Sequence, residues 1–268
     1  MTDTRFSNLE PSDKERLDTT ANMEPMTPLP GPGRALAWLV FFGALFFGAA
    51  FLYAAYQGAV IGITQPDIVE DDALLESMIV ESVQSPAGLA WVSLLQFVLL
   101  VPVIVWTSNF RTQSWRHTLA VHAVSWRQFG FWMLVYCGYF LVQSILELLV
   151  PVDMGELIDG LSGSRHLGLF LAFVFLAPVI EELVFRGYLF KAWRHTRLGL
   201  WGTLLLTSVL FTALHGFQYP WITLIYLFAL SLLLGLAREK TGSVLTPVAL
   251  HMLNNALAMS MLLYFEVL

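Results

Sequence analysis

The sequence predicts an all-α fold, a polytopic bundle of transmembrane helices, on three observations. Of 268 residues, 57% are hydrophobic and only 13% charged, where soluble domains carry about a quarter charged residues. Mean hydropathy is +0.67, and several apolar runs reach the roughly 18–20 residues that cross a hydrocarbon core of about 30 Å. The runs are continuous rather than alternating, which selects helices over a closed barrel, the two structures that satisfy the backbone in lipid.

Residues 1–33 differ from the rest: charges mix with Ser, Thr, Asn and Pro and end in Pro28-Leu29-Pro30-Gly31-Pro32-Gly33. This composition predicts a flexible tail with no apolar stretch of a cleaved leader. Seven spans are expected (eight are possible), near 35–56, 87–106, 128–150, 167–190, 199–217, 221–237 and 244–265. They divide into amino-terminal helices within 34–164 and carboxyl-terminal helices within 165–268. No internal repeat is evident.

Basic residues orient the spans. The segment 57–86 holds no Lys or Arg but carries Asp67, Glu70, Asp71, Asp72, Glu76 and Glu81, and reads as an acidic loop. Arg5, Lys14, Arg16, Arg34, Arg111, Arg116, Arg127, Lys191, Arg194, Arg197, Arg238 and Lys240 flank the opposite ends, so twelve of the fourteen basic residues fall on one side. The positive-inside rule makes that side, and the amino terminus, cytoplasmic. An integral protein of the cytoplasmic membrane is expected, with lipid as its surroundings. A net charge of −6 argues against a nucleic-acid partner, which would require a basic face. Cys137 lies alone in an apolar stretch and reads as packing.

Ionisable side chains inside spans cost at least about 2.5–3.5 kcal/mol each on insertion scales and so mark partners, cavities or function. Three clusters qualify. In Pro178-Val179-Ile180-Glu181-Glu182-Leu183-Val184-Phe185-Arg186, Glu182 and Arg186 share a helix face at i and i+4 and can pair. Glu181 is rotated by about 100° and lacks that counter-ion. In Phe211-Thr212-Ala213-Leu214-His215, Phe211 lies one turn below His215 and can orient its ring. In His251-Met252-Leu253-Asn254-Asn255, His251 and Asn255 can project into one site, while Asn254 points elsewhere and reads as an interhelical bond. Each cluster alone also fits a helix-end charge, an interfacial histidine or polar glue. Together they supply a base to deprotonate water and donors for developing charge, and imidazole with carboxylate also suits zinc. The zinc-protease pattern His-Glu-x-x-His is not present.

At these residues the sequence resembles the CPBP intramembrane proteases, the CAAX prenyl protease and bacteriocin-processing family also called Abi. The pattern Glu-Glu-x-x-x-Arg, Phe-x-x-x-His, His-x-x-x-Asn is matched by Glu181-Glu182 with Arg186, Phe211 with His215, and His251 with Asn255. The resemblance covers about residues 165–260. It implies an intramembrane endopeptidase, labelled a metalloprotease in the family, that cleaves a membrane-associated protein or peptide in CAAX-type processing or bacteriocin maturation or immunity. By analogy Glu181 is the general base and His215 holds or polarises the water. His251 and Asn255 stabilise the oxyanion, and Glu182, Arg186 and Phe211 support the site. The resemblance admits two versions of the chemistry. In one a divalent metal such as zinc is held by Glu181, His215 and His251; in the other a glutamate-activated water acts without metal.

Two other functions fit buried Glu and His: a proton-coupled transporter, and a non-catalytic membrane immunity or scaffold protein. Counting about 1.5 Å per residue from the cytoplasmic ends places His251 roughly 10 Å deep, Glu181 roughly 13 Å and His215 roughly 24 Å. A shared site then requires span five to start later or protrude. Of the remaining polar residues, Glu147 reads as snorkelling to the interface, and His117, His122, His166 and His195 as solvated loop residues.

Overall fold

The computed structural model describes residues 31–110, 113–150 and 156–265. The expected tail lies outside them up to residue 30, as do Arg5, Lys14, Arg16, Arg111 and Asp153. Every regular element among the described residues is helical. Helix α1 (Pro32–Thr64) opens on a proline at its first turn, where the missing N–H has no partner to lose.

The segment expected as an acidic loop is instead mostly helical. α1 continues to Thr64, a 3₁₀ turn covers Pro66–Glu70, and α2 covers Asp72–Gln84. The acids that marked a loop start the helix: Asp71 accepts from the Leu74 N–H at 3.1 Å, and Asp72 sits in the first turn. Both placements complement the positive end of the helix dipole. α3 (Pro86–Thr107) follows through so tight a turn that a Cβ on Gly88 would lie 2.1 Å from the Ser82 carbonyl oxygen.

α4 (Trp126–Leu149) begins with a capping box between Ser125 and Gln128. α5 (Leu167–Trp193), α6 (Gly199–Leu214), α7 (Trp221–Thr241) and α8 (Leu245–Ser260, extended by a π turn over Met261–Phe265) complete the bundle. α7 stops at Gly242, whose φ of 72° is the left-handed cap that glycine tolerates. All seven expected spans are thus helices. By length and apolarity α1, α3, α4, α5 and α7 can cross a membrane, and α6 is a shorter apolar helix.

The packing is that of a membrane protein. Large apolar side chains point outward, with Phe51 74% and Leu148 83% exposed, while Glu182, Arg186, Ser231 and Thr203 are wholly buried. One core joins Phe42 of α1, Leu100 and Ile104 of α3, Leu183 and Tyr188 of α5, and Phe211 of α6. A second joins Trp132 and Tyr136 of α4, Leu230 and Leu234 of α7, and Leu250 of α8. α6 and α7 approach closely at Gly235, where a Cβ would stand 2.5 Å from Leu204 Cδ2.

α5 is not a uniform helix. Two π-helical stretches, Ala172–Leu176 and Leu183–Leu189, flank the α-helical segment Ala177–Glu182. Pro178 has no N–H to give the carbonyl one turn earlier, which accounts for the first irregularity. Each π stretch offers a backbone carbonyl to a side chain of another helix. Asn255 Nδ2 donates to Phe173 O at 2.9 Å, and Arg238 Nε donates to Arg186 O at 3.0 Å. The two glutamates therefore sit on a short rigid segment anchored at both ends.

Candidate active site

Glu182 and Arg186 form the expected pair, and neither side chain is exposed to any degree. Arg186 Nη1 donates to Glu182 Oε1 at 2.9 Å, and Nη2 donates to the Ser231 carbonyl at 2.9 Å and hydroxyl at 2.7 Å. The guanidinium also lies 5.0 Å from the Phe211 ring centroid, a cation–π contact strengthened by desolvation. A buried pair survives only when further hydrogen bonds compensate its desolvation, and Ser231 supplies them. These charges are therefore not a ragged helix end.

His251 approaches the same carboxylate. Its Nδ1 lies 3.0 Å from Glu182 Oε1. A carboxylate accepts, so Nδ1 carries the proton and the ring presents Nε2 to the other side. That Nε2 is 3.7 Å from Glu181 Oε2, beyond a direct hydrogen bond. Glu181 is 23% exposed where Glu182 is buried. The two adjacent acids thus occupy different environments, one locked in the protein and one opening outward, as their rotation on the helix implies.

His215 caps α6. Its Nδ1 is 2.9 Å from the Phe211 carbonyl, which again assigns the proton to Nδ1 and leaves Nε2 outward. Phe211 packs against both imidazoles, at 4.9 Å from His215 and 5.9 Å from His251. Of the two ways expected to bring His215 to a shared site, a later start of span five is not seen, because α6 begins at Gly199. Counting depth from helix ends assumes upright helices ending in one plane, whereas membrane helices tilt.

Asn255 lies one turn beyond His251, but one amide N–H is engaged by Phe173 O. Asn254, expected as an interhelical bond, accepts from the Tyr136 hydroxyl of α4 at 3.3 Å and donates to Asn255 Oδ1 at 3.4 Å. Among the described residues His215 makes no hydrogen bond to Glu181, Glu182 or His251. No three His, Cys, Asp or Glu side chains there are grouped to hold one ion. As arranged, Glu181, His215 and His251 are not among any such group and do not fit three-ligand coordination.

Four residues at the site were missed by sequence reasoning. Ser231 and Arg238 lie on α7 and anchor Arg186, with no sequence signal tying them to it. Tyr219 stacks on His215 at 6.1 Å; its i, i+4 spacing from His215 was the available clue. Burial foremost, and the Glu181 charge second, hold the Tyr219 phenol above its ordinary value, so it stays protonated at neutral pH. Tyr136 ties α4 to Asn254. Two histidines expected to be solvated have structural bonds: His166 Nδ1 caps Leu169 N at 3.0 Å, and His122 Nε2 is 3.0 Å from the Gly242 carbonyl.

Residues 163–257 match the family described as type II CAAX prenyl endopeptidase Rce1-like. An uncharacterized 24.3 kDa protein of Escherichia coli is 35% identical over 124 residues, 46% of this chain and 57% of that protein. Uncharacterized protein YpbD of Bacillus subtilis (strain 168) is 33% identical over 106 residues, 39% of this chain and 51% of that protein. The chain spans about half the length of these curated relatives. No solved structure matches it.

Proposed function

From the membership of residues 163–257 in the CPBP family of intramembrane proteases, we propose that this integral membrane protein hydrolyses a peptide bond of a membrane-associated protein or peptide through a water activated by Glu181. The observation that carries this reading is the division of labour between adjacent acids. Glu182 is committed to Arg186 and His251, while Glu181 is partly exposed and faces His251 Nε2.

In the proposed reaction Glu181 takes a proton from water as the water oxygen attacks the carbonyl carbon. The same carboxyl then returns the proton to the leaving amine. His251, with its Nδ1–H held by Glu182, donates from Nε2 to the oxyanion when that nitrogen also carries a proton. The free N–H of Asn255 is a second donor. His215, fixed by Phe211, turns Nε2 toward the water, and Arg186 keeps Glu182 in place. CAAX-type processing and bacteriocin maturation or immunity are alternative substrate classes. The basic ends of the helices support a cytoplasmic amino terminus.

The test is comparative proteomics of cells carrying wild type or Glu181→Gln, followed by cleavage of the recovered substrate in proteoliposomes. General-base loss costs about 10²–10⁴-fold in rate, with abundance and melting unchanged. Persistent cleavage by Glu181→Gln would overturn the reading. A variant that lost only ion-coupled uptake would instead make the protein a transporter.

A further inference from the structure

On the basic side of the bundle, a groove of about 740 Å³ runs between α4 and α7. Phe131, Trp132 and Leu236 give it an apolar lining, beside which stand Arg127 and Lys240. Both cations are exposed. The other polar lining residues, Gln128 and Thr241, already make local hydrogen bonds. Gln128 Oε1 accepts from Ser125, and Thr241 Oγ1 donates to the Ala237 carbonyl at 2.7 Å.

No acid neutralises the two cations among the described residues. In segments 113–127, 191–198 and 236–244 the single acid is Glu239. Arg194 holds both its oxygens, at 2.9 and 2.6 Å. Beside Arg127, Trp126 is 88% exposed, as suits an indole at the headgroup level of a bilayer.

We propose that this groove binds one anionic glycerophospholipid, with its phosphate between Arg127 and Lys240 and an acyl chain over Phe131, Trp132 and Leu236. An apolar lining beside two unpaired cations at the membrane interface complements that ligand in both halves. A zwitterionic lipid brings its own cation, and a free anion leaves the apolar lining unused. Two basic side chains near the surface are worth on the order of a ten- to thirtyfold preference for an anionic headgroup. The lipid would bridge α4 to α7, the helix whose Ser231 and Arg238 anchor Arg186. The proposal is independent of the protease reading.

The test uses the full-length protein in detergent, titrated with phosphatidylglycerol or phosphatidylcholine. Native mass spectrometry reads retained lipid, and thermal melting reads stabilisation of the bound form. One phosphatidylglycerol should be retained in preference to phosphatidylcholine and should raise the melting temperature. Arg127→Gln with Lys240→Gln should abolish that preference. Arg116→Gln with Arg197→Gln, which removes two charges at the same end, should preserve it. Equal retention of both lipids by wild type, or an undiminished preference in the Arg127/Lys240 variant, overturns the proposal. An equal rise in melting temperature with inorganic phosphate alone also overturns it, because the acyl chain would then contribute nothing.

Discussion

His251 and Arg186, from different helices, meet on a single oxygen of Glu182, at 3.0 and 2.9 Å. That shared acceptor decides the state of the site: it sets the proton on His251 Nδ1 and leaves Glu181 as the acid that faces outward. Loss of Glu182 and loss of Glu181 therefore have different consequences.

Glu182→Gln leaves the Arg186 charge buried without its counter-ion, and breaking such a pair costs about 3–5 kcal/mol. Thermal melting in detergent should fall steeply, and cellular abundance with it. Glu182→Gln with Arg186→Met should recover much of that stability without recovering cleavage, because His251 remains unheld. Wild-type melting of the single variant would refute the structural role of the pair.

Asn255 and Asn254 separate by readout. Asn255→Ala should lower kcat by about 10²–10³-fold if its free N–H serves the oxyanion. Loss of its bond to Phe173 should add a destabilisation of about 1 kcal/mol. Asn254→Ala should resemble Tyr136→Phe, with a small drop in melting temperature and little change in kcat. Equal kcat losses at Asn254 and Asn255 would bring Asn254 into the machinery.

The metal question is answered by inductively coupled plasma mass spectrometry on purified protein, with His215→Ala as control. The arrangement of Glu181, His215 and His251 predicts substoichiometric metal and a cleavage rate unchanged by chelators. One zinc per chain, lost in His215→Ala and required for cleavage, would replace the metal-free chemistry with the zinc alternative.

Tyr219 gives a pH signature. Its folded-state pKa is raised by burial and then by Glu181, so its contribution to stability is fully present below the unfolded value of about 10. It is lost as pH rises through the folded value. Tyr219→Phe should remove that alkaline loss of stability, and should slow cleavage about tenfold if the phenol also donates in the transition state. An unchanged alkaline melting profile would show that the phenol is not held in this way.

Much of this protein was legible in its sequence because the determining physics is local. Apolar run length marks the helices, and all seven expected segments are helical, five of them long and apolar enough to cross a membrane. Helical periodicity alone pairs Glu182 with Arg186 and turns Glu181 aside, and the same spacing sets Phe211 beneath His215. The acidic segment was misread because acids near 71–72 signal a helix start as readily as a loop. What only the tertiary structure decided is how one helix holds another. Ser231 and Arg238 reach Arg186 across 45 and 52 residues, and His251 reaches Glu182 across 69. Asn255 reaches a carbonyl that a π turn in α5 exposes 82 residues away. Those contacts depend on helix tilt and on interruptions of the backbone ladder, neither of which is encoded in the spacing of any one segment. Sequence alone therefore picked out the polar residues within the apolar helices, and the packing of the bundle determined which glutamate is locked away and which one is partly open.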